Sequence, residues 1–310
     1  MTTLRVLLHI AAQREYELHT LDFSTAFLKG SLHEEIWLRR PPGFTWTFQA
    51  VYVDDLVFAT ADTEALTLVK SELQKRHTCT DLGELRRYLG LQITWDRARR
   101  TITLTQSHMV HKVLQRFGFQ FSSPQPTPLS TSHSLSAPPS VESVEPSGPY
   151  PELMGCLIYL MTCTRPDLAY PLSLVARYVA PVCWAWGLCL EDGVHSSCEA
   201  EIYVGAMAAQ ELHWLTYLLT DLGEQPRSPP VLYVGNKAMN ALCQEHRTKH
   251  IVLRYFLARE LQQRGQLRLA YVATRANTAD VFTKALPLGD HQRFATVLGP
   301  VPTLPYMLTA

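Results

Sequence analysis

The sequence predicts an α+β protein that consists of two incomplete subdomains joined by a linker. Apolar residues recur at helical spacing in some segments and alternate as they do in strands in others. Residues 122–151 contain nine Ser and eight Pro and therefore divide the chain with an extended linker. The length of 310 residues gives room for about two domains of roughly 150 residues each.

Composition excludes several classes of protein. Hydrophobic residues make up 46% of the chain and charged residues 18%, which is typical of a globular core and argues against extensive disorder or a coiled coil. Lys plus Arg and Asp plus Glu both number 28, so any contact with nucleic acid requires local basic patches. No apolar run approaches the roughly 20 residues of a membrane span, and the first residues lack the long apolar stretch of a signal peptide, so we expect neither feature. The seven cysteines contain no Cys-x-x-Cys pair, so we expect an intracellular protein with reduced thiols.

The part before the linker alternates between helices and strands. The segment YELHTLDFSTAFL predicts a strand that contains Asp22, and AVYVDDLVFAT predicts a hairpin with Asp54 and Asp55 at its tip. A helix is predicted over 62–77, with Thr63 as its cap. The other elements predicted here are a helix around residues 4–11, strands at 88–95 and 101–105, and a helix at 106–117.

The part after the linker is predominantly helical. A long helix is predicted over 197–222, where Ser196 and Glu199 form a capping pair at its start. The other predicted elements are helices at 152–161, 168–178, 251–264 and 279–285, and strands at 231–234 and 267–273. Pro287 is expected to stop the last helix.

Three aspartates are candidate ligands for a divalent metal. Asp22 lies on a predicted strand and Asp54 and Asp55 lie on a predicted hairpin, so adjacent strands could bring their carboxylates within about 5 Å. Nucleotidyl transfer needs two hard divalent ions, and Mg²⁺ takes oxygen ligands while keeping several waters. Taken alone, the letters YVDD also fit a solvated Asp-Asp turn.

Longer motifs surround these aspartates. LDFSTAFLKGSLHEEIWLRRPPGF followed by YVDDLVFA resembles the palm of copia-type LTR-retrotransposon reverse transcriptases. DLGELRRYLGLQI and TRPDLAYPLSLVARY are similar to later segments of that family, and SSCEAEIY, RTKHIVLRYFLARE and NTADVFTKAL look like its tethered RNase H. The resemblance implies a truncated, internally deleted Pol polyprotein. Its implied parts are a reverse-transcriptase palm remnant at 1–121 (an antiparallel sheet with helices), a linker at 122–151, a helical connection at 152–180, an incomplete RNase H-like α/β domain at 181–286 and a tail at 287–310.

The resemblance also implies site residues and ligands. Asp22, Asp54 and Asp55 correspond to the catalytic carboxylates that hold two Mg²⁺ ions, and Glu201 and Asp280 correspond to two of the four RNase H carboxylates. The implied partners are nucleic acids, namely an RNA template, a DNA primer and an RNA–DNA hybrid.

The sequence departs from the family pattern in both parts. Asp22 and Asp54 are only 32 residues apart, and the YGL-x-Q-A-P segment that supports template and nucleotide is absent between them. Because positioning supplies much of the rate in phosphoryl-type transfer, we expect polymerase activity to be very weak or absent. In the RNase H part, Gly235-Asn236 stands where the family has Asp-Asn, and Asp192 lies in a turn-like EDG segment instead of on a strand. We therefore expect RNase H activity to be lost.

Two clusters of basic side chains are further candidates for nucleic-acid contact. Residues 84–116 hold seven Lys and Arg against two acids, and residues 245–284 hold eight against three. The candidate side chains are those of Arg86, Arg87, Arg97, Arg99, Arg100, Lys249 and Arg254. Solvated basic faces explain the same residues equally well.

Three functional hypotheses follow from the sequence. The first is a degenerate reverse transcriptase with a tethered RNase H-like domain. The second is a non-catalytic nucleic-acid-binding remnant. The third is a decayed reading frame whose product does not fold stably, because a remnant of a sheet with two strands leaves apolar surface exposed, including Trp184, Trp186 and Leu188.

Overall fold

The computed structural model describes residues 1–24, 47–132, 148–176, 197–235 and 257–299. The chain divides into two compact units. The described ranges include part of the motifs before the linker and part of the motifs after it. The first unit comprises Met1–Pro124 and Gly155–Pro166, and the second comprises Gln125–Met154 and Asp167–Pro300. The domain boundaries inferred from the sequence remain predictions.

Helices and antiparallel sheets build the first unit, as the predicted α+β class requires. Its elements, in chain order, are α1 (Thr2–Arg14), β1 (Glu17–Phe23), β2 (Thr47–Tyr52), β3 (Asp55–Thr60), α2 (Thr63–Arg76), β4 (Cys79–Glu84), β5 (Arg87–Tyr88), β6 (Leu91–Asp96), β7 (Thr101–Thr105), α3 (Ser107–Arg116) and the part of α4 (Tyr150–Cys163) that follows Met154. Within the described residues, one sheet has the order β2-β3-β1-β4 and a second has the order β5-β6-β7.

The core of the first unit lies on both faces of the central strands β1 and β3. Leu21, Leu56 and Phe58 are buried on one face and pack against Leu66 of α2. Val57, which pairs with Thr20 on β1, is fully buried on the other face. A strand that is covered on both faces needs a continuous apolar run, and LVFA at residues 56–59 supplies one.

Two local features of the first unit differ from the predictions. The cap of α2 is Asp62 instead of Thr63, because the Oδ1 atom of Asp62 accepts a hydrogen bond of 2.8 Å from the backbone N–H of Ala65. The strand predicted over 88–95 is broken at Leu89 and Gly90, which both have positive φ angles, of 47° and 69°. The chain therefore turns at these two residues and forms the hairpin of β5 and β6.

Strand β4 was not predicted. Its sequence, CTDLGE, contains a glycine and two acids and shows no alternation of apolar and polar residues. It is a strand because it pairs with β1, with an irregularity in register between Thr20 and Leu21. Long-range pairing therefore overrides a weak local preference at this edge of the sheet.

Helices surround a short parallel strand pair in the second unit. Its remaining elements are α5 (Ala169–Val175), α6 (Ser197–Asp221), β8 (Val231–Val234), α7 (Leu257–Gln263), β9 (Arg268–Tyr271) and α8 (Leu288–Leu298), with 3-10 turns at Pro166–Leu168, Thr274–Ala276 and Thr278–Phe282. Val231 pairs with Arg268, so β8 and β9 are parallel. Ala209 of α6 and Leu261 of α7 belong to the core cluster of this unit.

The predictions for the second unit are confirmed in outline and wrong in detail. The long helix and both strands form, whereas the predicted helix at 279–285 is a 3-10 turn and the predicted tail contains α8. The expected exposure of apolar residues is present on α6, where Met207, Trp214 and Tyr217 are exposed. Trp184, Trp186 and Leu188 lie outside the described residues. No helix in the described ranges combines the length and the apolar character needed to cross a membrane.

Candidate active site

Strand pairing brings two of the three predicted carboxylates together. Asp22 of β1 is the direct Cα partner of Asp55 of β3 in the antiparallel register. Directly opposite residues project to the same face of a sheet, with Cβ atoms about 4.5–5.5 Å apart. Asp22 and Asp55 are half-buried. The site therefore has two carboxylates side by side at one end of the sheet.

The third carboxylate lies in the turn between β2 and β3. Tyr52 pairs with Asp55, so the turn consists of Val53 and Asp54. The prediction that both Asp54 and Asp55 form the tip is wrong for Asp55, because the cross-strand pairing already includes that residue as the first of β3. The backbone N–H of Phe23 donates a hydrogen bond of 2.8 Å to the carbonyl of Asp54, and this bond ties the end of β1 to the turn.

Val53 holds a backbone conformation that its side chain disfavours. Its φ angle is 55°, in the left-handed region that tight hairpin turns require and that Gly or Asn usually occupies. A β-branched residue in this region costs about 1–2 kcal/mol, so the surrounding strands must hold the turn in place.

Asp54 has an unsatisfied carboxylate oxygen. Its Oδ1 atom is buried and has no hydrogen-bond partner among the described residues. A buried carboxylate oxygen without a partner is costly, and a bound cation removes that cost. The turn therefore contains a carboxylate oxygen that no described residue satisfies.

The negative charges of the site act on one another. Burial, followed by the charges of Asp22 and Asp54, raises the pKa of the Asp55 carboxyl. Burial, and then the charges of Asp55 and Tyr52, raise the pKa of Tyr88 to about 12. Tyr88 is therefore neutral, and the field at Asp55 favours the arrival of a cation.

The residues fit a hydrated Mg²⁺ ion better than a closed protein cage. Among the described residues, no three His, Cys, Asp or Glu side chains stand close enough together to enclose a metal. Mg²⁺ keeps several of its waters and needs only one or two carboxylates from the protein. Asp22 and Asp55, which are paired across β1 and β3, supply the two carboxylates that this requires.

A second polar cluster, which no sequence pattern predicts, lies where α2 packs on β1 and β4. The Lys70 ammonium contacts Nδ1 of His19 at 2.8 Å and both carboxylate oxygens of Asp81, at 2.7 and 2.9 Å. Burial and then the nearby Lys70 charge lower the pKa of His19. Burial alone would raise the pKa of Asp81, but the hydrogen bonds from Lys70 and the Gly83 backbone outweigh it and lower that pKa.

Most of the predicted basic residues that can be located already have acidic partners. Arg97 donates to Glu17 at 2.7 Å and lies over the ring of Trp95, 4.2 Å from its centroid. The other three pairs are Arg86 with Glu84, Arg99 with Asp96 and Arg100 with Glu15. Arg87 has no ion pair among the described residues, and Lys249 and Arg254 lie outside them.

Asp280, the predicted RNase H carboxylate, is engaged by neighbouring side chains. It is 5% exposed on a 3-10 turn, where it accepts hydrogen bonds of 2.9 Å from Asn277 and from the Lys284 ammonium. Gly235 lies beside this cluster, since an added Cβ would stand 3.5 Å from the amide nitrogen of Asn277. Glu201 belongs to α6, but its side chain lies outside the described residues.

Comparison with known proteins assigns a class to this arrangement. The family of reverse transcriptases (RNA-dependent DNA polymerases) matches the chain at residues 1–49 and 47–131, which include all three aspartates. Residues 1–131 are thus similar to this family. No solved structure matches the chain.

Curated relatives make the relationship more specific. The chain is 25% identical to the retrovirus-related Pol polyprotein from transposon TNT 1-94 of Nicotiana tabacum over 425 residues, an alignment that covers 96% of the chain and 32% of that protein. It is equally identical to the Pol polyprotein from transposon RE2 of Arabidopsis thaliana, covering 98% of the chain and 29% of that protein. The chain is a homologue of copia-type Pol polyproteins, as its motifs predicted, and spans about a third of the length of these relatives.

The alignments also show that the chain is shorter than the matching region of its relatives. They run over 425 residues, more than the 310 residues of the chain, so the relatives contain internal segments that this chain lacks. The reverse-transcriptase match is itself split into two segments that meet at residues 47–49, between Asp22 and Asp54.

Proposed function

We propose that the first unit is the palm of an RNA-directed DNA polymerase, in which Asp22, Asp54 and Asp55 hold Mg²⁺. The observation that carries this proposal is the direct pairing of Asp22 with Asp55 beside the buried, unpartnered oxygen of Asp54. The match to the reverse-transcriptase family supports it, because that match includes all three residues. The proposed substrates are an RNA template and a DNA primer.

The residues of the chain have distinct tasks in this proposal. Bound Mg²⁺ would supply charge neutralisation for the attacking hydroxyl and the leaving pyrophosphate. Asp22 and Asp55 contribute oxygens from adjacent strands, while the hydrogen bond from Phe23 to the Asp54 carbonyl holds the third carboxylate against the sheet.

We further propose that polymerase activity is slight or absent. Two observations indicate that the chain has lost the segment that holds template and nucleotide. Asp22 and Asp54 are close together in sequence, and the family match is split at residues 47–49, between them. Metal ligands alone leave the substrates unpositioned, and positioning supplies about 7–11 kcal/mol of rate acceleration in well-oriented reactions.

The second unit is proposed to be an RNase H-like remnant without nuclease activity. Gly235 provides no carboxylate next to Asp280, and both oxygens of Asp280 already accept hydrogen bonds from Asn277 and Lys284. A two-metal site needs more oxygen ligands than these residues provide.

Metal binding and primer extension test the proposal separately. We expect Mg²⁺ to raise the melting temperature of the full chain, because ligands that bind the folded state stabilise it. The Asp54→Asn/Asp55→Asn variant should lose this response, whereas Asp96→Asn, which removes an exposed carboxylate of β6, should keep it. An equal response to Mg²⁺ in both variants would rule out the metal site.

Primer extension on an RNA template then measures what catalysis survives. The expected result is Mg²⁺-dependent incorporation that is barely above the Asp54→Asn/Asp55→Asn variant, together with no cleavage of an RNA–DNA hybrid. Incorporation at the level of an intact polymerase would contradict the proposed loss of the positioning segment. Equal incorporation by the chain and the variant, combined with no Mg²⁺ response, would leave only the non-catalytic hypotheses.

A further inference from the structure

Helix α6 buries one side and leaves the opposite side uncovered. Ala209 belongs to the core cluster shared with α7, and Leu212 packs against that cluster. The opposite side presents large apolar residues, each with 42% to 56% of its surface exposed, namely Val204, Met207, Trp214 and Tyr217. Because residues three, seven and ten positions apart recur on one side of a helix, these four residues form one apolar stripe.

The apolar stripe is too long to be a chance exposure of single residues. It runs for about 20 Å, because Val204 and Tyr217 are 13 positions apart and each residue adds about 1.5 Å. Single exposed apolar side chains are ordinary on protein surfaces, whereas contiguous ones mark interaction sites. The ring of Tyr217 stands against that of His213, with centroids 4.6 Å apart and an interplanar angle of 68°. This contact restrains Tyr217 before a partner arrives and lowers the entropic cost of binding.

The charges that accompany the apolar stripe are all negative. Helix α6 contains four acids and neither Lys nor Arg. Glu211 lies between Met207 and Trp214 on the exposed side of the helix, and Asp221 lies one turn beyond Tyr217. Both acids are exposed, and neither side chain has an ion pair or a hydrogen bond among the described residues. A partner that covers the stripe must therefore combine apolar surface with positive charge.

The same negative charge disfavours two other occupants of the stripe. Two copies of α6 packed across a two-fold axis would bring the acids of both copies together, with no cation on either helix to offset them. A membrane surface with anionic lipids would repel these acids as well. A helix that carries basic side chains beside its own apolar stripe matches both the shape and the charge of α6.

We propose that the exposed side of α6 binds a basic amphipathic helix of a partner protein. The apolar side chains of the partner pack on Met207, Trp214 and Tyr217, and its cations pair with Glu211 and Asp221. Trp and Tyr are among the residues that most often dominate the binding energy of protein interfaces. The proposal goes beyond the proposed function, because it requires no metal, no nucleic acid and no catalysis.

Fluorescence anisotropy of a labelled peptide with three repeats of LKKLLKL tests this surface on the full chain. The control peptides are one in which glutamate replaces every lysine, and one of the same composition whose order forms no apolar side. We expect the chain to bind the basic helix and neither control. Trp214→Ala should weaken binding about thirtyfold, because an anchor residue is lost. Val297→Ala, which truncates an exposed side chain of α8, should leave the affinity unchanged.

Charge reversal tests the electrostatic part of the proposal. Glu211→Lys/Asp221→Lys should weaken binding of the basic peptide about tenfold, and it should allow the acidic peptide to bind. Glu64→Lys, which reverses an exposed charge on α2, should change neither affinity. Circular dichroism of each variant checks that the helical content is retained.

Several results would overturn the proposal. They are equal affinity of the Trp214 and Val297 variants, equal binding of the three peptides, and no binding of the basic peptide. A dimer that Trp214→Ala converts to a monomer, or binding to phosphatidylglycerol vesicles that the same change abolishes, would assign the stripe to a second copy or to a membrane instead.

The Asp54→Asn/Asp55→Asn variant separates this proposal from the polymerase proposal. It should bind the basic peptide as the unchanged chain does, because the three aspartates of the first unit take no part in the α6 surface. If the unchanged chain showed no response to Mg²⁺ but bound the peptide, the polymerase proposal alone would fail.

Discussion

Replacement of Lys70 by methionine removes the charge at the centre of the cluster that joins α2 to β1 and β4. Lys70 is 7% exposed and its ammonium donates to both oxygens of Asp81 and contacts His19. Methionine has a similar volume and fills the same space, so the replacement tests the polar contacts and leaves the packing largely unchanged.

The expected loss of stability is about 2 kcal/mol. Breaking a fully buried ion pair costs roughly 3–5 kcal/mol, because the remaining partner is left charged and unpaired. The side chain of Asp81 is 36% exposed, so water recovers part of its solvation and the cost is smaller. For a unit of this size, about 2 kcal/mol corresponds to a decrease of roughly 6–10 °C in melting temperature.

Thermal and urea unfolding of the full chain measure this effect, with Lys75→Met as the matched control. Lys75 lies five residues further along α2 and pairs with Glu72, where both side chains are exposed. The control should leave the melting temperature unchanged within error. The reasoning is refuted if Lys70→Met and Lys75→Met shift the midpoint equally, or if adding Asp81→Asn to Lys70→Met recovers none of the lost stability.

Two further predictions concern the same unit. The pKa of His19 in the folded chain is lower than its ordinary value of 6.5. The neutral ring therefore stabilises the fold at pH values above 6.5, and this contribution is lost as the pH falls below that value. The urea concentration at the unfolding midpoint should consequently decrease when the pH is lowered from about 7 to about 5. The His19→Gln variant should lose this dependence, whereas His111→Gln on the exposed side of α3 should retain it. Gly90→Ala should destabilise the chain by about 2 kcal/mol, because it combines a φ of 69° with a Cβ only 2.9 Å from the Tyr159 hydroxyl. Gly83→Ala, with a similar φ and no heavy atom of the described residues within 4 Å, should cost only about 1 kcal/mol, and equal losses would contradict the close contact.

The sequence predicted the elements whose signal is local. The spacing of Leu4, Leu7 and Leu8 gave α1, and the apolar run after Asp55 gave β3. Helix α8 is absent from the predictions because Pro287 predicts the end of a helix, whereas proline is also common where a helix begins. Local patterns therefore defined most helices but left the role of a single proline ambiguous.

Contacts between distant residues were beyond the reach of the sequence patterns. His19, Lys70 and Asp81 come from three separate elements, and none of them belongs to a motif. The same holds for the acidic partners of Arg97 and Arg100, which lie about 80 residues earlier in the chain. The aspartate pair at 22 and 55 was predicted only because longer motifs surround both residues, since two carboxylates alone carry no information about register.

The strained turn at Val53 makes the carboxylate arrangement a property of the whole sheet. Left alone, the turn would relax out of the left-handed region and carry Asp54 away from Asp22. What prevents this is the ladder between β2 and β3 together with the Phe23 bond to the Asp54 carbonyl. Fraying of β2, which is the outermost strand of this sheet among the described residues, should therefore disperse the three charges before the rest of the unit melts. Ion affinity then reports on the integrity of a strand that bears none of the ligands.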